Sequence, residues 1–181
     1  MSTTHRLFFA LWPDSRTGAR IGALRDETGT LDHCVANDRL HLTLAIGRDW
    51  TGFPEAEAEA MCAIAERIDS APLTVRLDML TGSGTSIALA PRRRAAPLVA
   101  LARSLGEPLA RMGMARAGWE FAPHVTIGHR KETPFTRPVS AIDMEARDFV
   151  LVHSIVGRKY TEIGRWPLVS RQGDLFATQA A

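Results

Sequence analysis

Two cysteines, Cys34 and Cys62, are all that the 181-residue chain contains, and they stand alone, with no CxxC pair and no metal-ligand spacing. Neither a disulfide framework nor a structural zinc is expected, and reduced thiols in a cytoplasmic protein are. Long apolar runs are missing too. The run near the start, Leu7 to Trp12, is too short to cross a bilayer and meets Pro13 and Asp14 at once, so neither a signal peptide nor a membrane anchor is expected. A dinucleotide glycine fingerprint is absent. Gly82-Ser83-Gly84 lacks the Gly-Lys-Ser/Thr of a phosphate loop and reads as a turn. No GxSxG elbow presents a nucleophilic serine. Charge of one sign is scarce: a net +2 and a pI near 8.8 permit an anionic substrate but fall short of a nucleic-acid-binding coat. No Gly/Ser/Pro tract divides the chain. With 45% apolar residues, residues 1–176 are expected to form one domain and 177–181 a frayed tail.

What is present is a regular alternation of strand and helix patterns. Arg6 to Trp12 reads as a buried strand, and residues 14–28 as a helix. Leu40, Leu42, Leu44 and Ile46 alternate with His41, Thr43 and Ala45, the period of a strand with one face packed. A helix from Pro54 through Met61, Ile64, Ala65 and Ile68 to near Pro72 follows, then strands over Leu73 to Met79 and Thr85 to Ala90 joined across Gly82 to Gly84. A third helix is expected from Ala95 to Met112, packed through Leu98, Leu101, Ala102, Leu105 and Leu109, with Pro108 as a kink or early end. Strands over Phe121 to Gly128, Phe149 to Val156 and Tyr160 to Val169 complete the order, with a turn at Gly157. That order implies an α+β fold with helices on antiparallel sheet.

One short pattern occurs twice: His41-Leu42-Thr43-Leu44 and His124-Val125-Thr126-Ile127. On a strand, residues two apart share a face, so each copy offers an imidazole beside a hydroxyl while its apolar residues pack behind. Two such strands face to face would make a slot suited to phosphate. Phosphodiester cleavage needs a base for the attacking oxygen and an acid for the departing one. With an ordinary pKa near 6.5, one histidine can be neutral and the other charged near neutral pH. Threonine hydroxyls can donate to the non-bridging oxygens. A catalytic zinc would want three protein ligands, and neither strand supplies a second. No metal or other cofactor is expected. The plainer reading, two ordinary strand histidines at a sheet edge, stays open on the pattern alone.

Four segments taken together resemble the 2H phosphoesterase superfamily, and within it the LigT-like RNA 2′,3′-cyclic phosphodiesterases, once called 2′-5′ RNA ligases. They are Arg6 to Leu11, Arg39 to Leu44, Ala122 to Ile127, and Leu151 to Ser154 with Gly157, Tyr160 and Trp166 to Leu168. The resemblance implies a single bilobal domain: two pseudo-symmetric lobes of antiparallel sheet flanked by helices, with one HxT strand from each lobe on a central cleft. It implies that His41 protonates the departing 3′ oxygen, that His124 activates water, that Thr43 and Thr126 hold the phosphate, and that the product is an RNA 2′-phosphate. The partner would be RNA with a 2′,3′-cyclic phosphate end, a tRNA-like fragment among the candidates, met by a monomer away from membranes. Reversal would give 2′-5′ ligation.

One departure stands out. The family often has arginine five residues after the second histidine, where this chain has His129, with Arg130 one place later. Arg130 could serve only if a bulge re-aims it, His129 could lend partial charge, or His129 is a surface residue. His5, His33 and His153 are also read as surface histidines, Arg92-Arg93-Arg94 as a solvated loop before a phosphate track, and Phe9, Trp50, Trp119 and Phe121 as core. Two competing functions remain: a phosphodiesterase of small cyclic nucleotides, and a non-catalytic RNA-binding module.

Overall fold

The structure is a computed structural model that describes residues 3–170; the expected tail lies outside the described residues. Strand β1 (His5–Leu11) leads to helix α1 (Ser15–Glu27), the two-residue strand β2 (His33–Cys34), a 3₁₀ turn (Asn37–Arg39) and β3 (Leu42–Trp50). Helix α2 (Glu55–Ala65), the hairpin β4 (Leu73–Gly82) and β5 (Ser86–Ala90), and helix α3 (Ala96–Arg111) follow. The chain closes with β6 (Val125–His129), β7 (Phe135–Ala146), β8 (Asp148–Ile155) and β9 (Lys159–Pro167).

All strands join one antiparallel sheet in the order β7-β4-β5-β6-β3-β1-β8-β9, with β2 on β6. The order divides into two four-stranded halves whose innermost strands, β6 and β3, carry the two HxT copies. These strands share one registered pair, Leu42 with Val125. Helix α3 follows β5 in sequence yet packs on β3 of the other half as well as on β4, while α1 follows β1 and packs on β6 and β7. Each helix therefore crosses to the half opposite the strand that it follows.

The apolar run of β1 is buried on both faces, as expected of a central strand. Leu7, Phe9 and Leu11 enter the large core under the helices, whereas Phe8 and Ala10 join Val150 and Val152 in a smaller cluster on the opposite face. Helix α3 buries Leu98, Leu101, Ala102, Leu105 and Leu109. It does not end early at Pro108: the residue falls in the last turn, where its missing N–H forfeits one bond, and the Met112 N–H still donates to the Pro108 carbonyl.

Three expectations are corrected. The strand placed at Phe121 begins only at Val125, since Pro123 has no N–H for a ladder. Strand β7 was not among the expected elements: it lies at the sheet edge, where Pro138 is tolerated, and Ile142, Met144 and Ala146 bury one face. His153 is buried rather than superficial, since β8 lies between β1 and β9; its Nε2 meets His5 Nδ1 at 2.9 Å and the Phe53 ring stands edge-on to it.

Candidate active site

His41 and His124 each stand one residue before the Leu42–Val125 pair. Extending that antiparallel register by one residue either way sets His41 opposite Thr126 and His124 opposite Thr43. Residues opposite one another share a face, so Leu42 and Val125 point into the core at 0% exposure while the four polar side chains point the other way. All four line one cleft of about 510 Å³.

Each imidazole is aimed by the same device. His41 Nδ1 lies 2.8 Å from the carbonyl oxygen of Arg39, and His124 Nδ1 lies 2.7 Å from that of Ala122, two residues back in both cases. A carbonyl oxygen only accepts, so each Nδ1 carries the hydrogen and each Nε2 is left for a ligand. A neutral ring then offers a base at Nε2, and a charged ring an acid.

The surroundings of the two rings differ. His41 is half-buried against Phe8, with ring centroids 5.1 Å apart, and meets the edge of Tyr160 at 5.5 Å, whereas His124 is exposed. Burial holds His41 below its ordinary value near 6.5, and the charges of His124 and Arg39 act in the same direction, against the Arg39 carbonyl that favours the charged ring.

The rest of the wall comes from far apart in the chain. Arg39 lies over the Tyr160 ring, 4.5 Å from its centroid, and makes no ion pair among the described residues. Arg25 of α1 donates from Nη1 to the Val35 carbonyl at 2.7 Å and to Asn37 Oδ1 at 3.0 Å, tying down the segment that carries Arg39. His33 and His129 stack with centroids 6.0 Å apart where β2 pairs with β6. Four of the six histidines and Arg39 line the cleft, and no carboxylate among the described residues does. His33, Arg39 and Tyr160 were not picked out as site residues from sequence. Their meeting depends on β2 and β9 reaching the cleft, for which no local pattern exists.

His129 and Arg130 are sorted by a bulge. Between the Ala88–Thr126 and Ile87–Gly128 pairs, β6 holds one extra residue, which shifts the alternation. His129 is thereby turned into the cleft and Arg130 away from it. Arg130 does not line the cleft: its guanidinium pairs with Glu132 and donates to the Thr28 and Thr30 carbonyls.

The sequence matches the 2′-5′ RNA ligase superfamily over residues 13–149. A search of curated proteins by sequence finds no match. Among solved structures, Escherichia coli LigT complexed with 3′-AMP is 28% identical, with a TM-score of 0.79 over 91% of this chain and 98% of that one. The same protein complexed with phosphate gives 28% identity and a TM-score of 0.75 over 93% and 100% of the two chains. A Thermus thermophilus protein, TT0787, is 23% identical and shares the fold with a TM-score of 0.76 over 92% of this chain and 99% of its own. With the family match spanning well over half of its length, the chain belongs to the 2′-5′ RNA ligase superfamily and is a 2H phosphoesterase.

Proposed function

We propose that the protein hydrolyses RNA 2′,3′-cyclic phosphate ends to 2′-phosphates through His41 and His124. The observation that carries this reading is the pair of Nδ1-anchored imidazoles flanking one strand pair in a cleft free of carboxylates among the described residues. Phosphate would sit between the rings, with the Thr43 and Thr126 hydroxyls donating to its non-bridging oxygens and Arg39 balancing its charge. Water attacks phosphorus as the bond to the 3′ oxygen breaks. His124 Nε2 takes the water proton, and His41 Nε2 gives one to the departing oxygen, so that a 2′-phosphate and a 3′-hydroxyl result. Burial favours the neutral form of His41; a bound phosphate anion opposes that shift and draws the proton onto it. Solvent exchange resets both rings. His129 and His33 stack on one another at the cleft wall.

The test is hydrolysis of an RNA oligonucleotide ending in a 2′,3′-cyclic phosphate, with excess chelator, by the native protein and by His41→Ala and His124→Ala. Turnover to a 2′-phosphate that falls about 10²- to 10⁴-fold in each variant is expected. Full activity in either variant, a 3′-phosphate product, or no native turnover overturns the reading.

A further inference from the structure

A second groove, of about 500 Å³, opens beside the cleft and shares His124 with it. Its hollow has a local cause: alongside Thr126, β5 turns only Ser86, Ala88 and Ala90 outward while Ile87 and Leu89 fill the core. Polar groups border it. Ser83 and Ser86 present hydroxyls 2.7 Å apart across the hairpin turn, and Thr81 Oγ1 donates to the Ala88 carbonyl at 3.3 Å. Arg94 reaches the groove from the loop before α3 and makes no hydrogen bond or ion pair among the described residues. The neighbouring arginines are otherwise disposed. Arg92 donates its backbone N–H to Asp78 and its Nε to Met79 Sδ, and Arg93 does not line the groove.

The chain has 20 acidic residues, yet among the described residues no carboxylate lines either groove. Two hollows that each hold an arginine and meet at one histidine suit a ligand with two phosphates, one on each side of that residue. We infer that Arg94 and the hydroxyls of Ser83 and Ser86 bind the phosphodiester next to the reacting terminus, so that the substrate is an oligonucleotide rather than a cyclic mononucleotide. The inference rests on the function proposed above. No phenylalanine, tyrosine or tryptophan among the described residues lines this groove, so it grips the backbone without stacking a base and is indifferent to sequence.

The experiment compares kcat/KM for a dinucleotide and a mononucleotide, each ending in a 2′,3′-cyclic phosphate, in the native protein, Arg94→Ala and Ala90→Leu. The native protein should favour the dinucleotide by about tenfold or more, the order of one charge-assisted phosphate contact. Each variant should lose that preference while its mononucleotide rate stays unchanged. Equal native efficiencies, or equal losses on both substrates, overturn the inference. Should the native protein turn over neither, the proposed function falls by itself, and the groove is judged by affinity for the corresponding 2′-phosphates. A dinucleotide bound no tighter than a mononucleotide, or with a salt dependence unchanged in Arg94→Ala, then overturns it as well.

Discussion

The main chain does most of the work of orientation here, because each candidate histidine borrows the backbone carbonyl of its own second predecessor. The two rings are therefore alike in tautomer and differ in solvation. If His41 is the acid, its task disappears when the leaving atom needs no proton. With sulfur in place of the bridging 3′ oxygen, the His41→Ala loss of about 10²- to 10⁴-fold should shrink to within about tenfold, while the His124→Ala loss persists. Steady-state rates on the oxygen and sulfur substrates decide this, and the opposite pattern would exchange the two roles. The HxT pair was legible in the sequence because strand periodicity alone sets His41 beside Thr43 and His124 beside Thr126. Arg39 and Tyr160 could not be paired in advance, being 121 positions apart and joined only by the return of β9 to the cleft.

Elements decide what periodicity cannot. The bulge in β6 reverses the alternation after Thr126, which is why His129 and not Arg130 reaches the cleft. Nothing in the run from Val125 to Arg130 announces it. Helix α3 and the β4–β5 hairpin were legible from apolar spacing and from Gly82 to Gly84, whereas β2 is too short to carry a pattern. Strand β2 nevertheless shapes the cleft, and Gly128 lets it approach. A Cβ at Gly128 would meet the His33 carbonyl oxygen at 2.9 Å and collide with Leu31. A backbone carbonyl in a paired strand cannot step aside, so Gly128→Ala should push β2 off β6 and displace His33. Stability should fall by about 1–3 kcal/mol, as for overpacking elsewhere, with a drop in kcat/KM. Denaturant midpoints and steady-state kinetics check both, and an unchanged variant would show that β2 does not shape the cleft.

For the molecule as a whole, two histidines link stability to pH. Burial lowers His153, with His5 adding to the effect, and burial lowers His41 as well. The unfolded chain takes up these protons near 6.5 while the folded chain resists, so the unfolded state binds more protons as pH falls through that value. The stabilisation is complete above about pH 6.5 and is lost below it, down to the lowered folded values. Melting temperature should decline between about pH 7.5 and about pH 5, less steeply in His153→Gln. A native melting temperature that is flat or rising on acidification would refute this. The two halves of the sheet also differ in how the chain reaches them. Apart from the short β2, one is built without interruption from residues 73–146, while the other joins 5–50 to 148–167. A ribosome thus releases both histidines well before β8 and β9, which supply Tyr160 beside His41 and pack Val150 and Val152 on Phe8. A growing chain would hold both histidines before the wall beside His41 exists, so translation itself would complete the cleft only once β9 is in place.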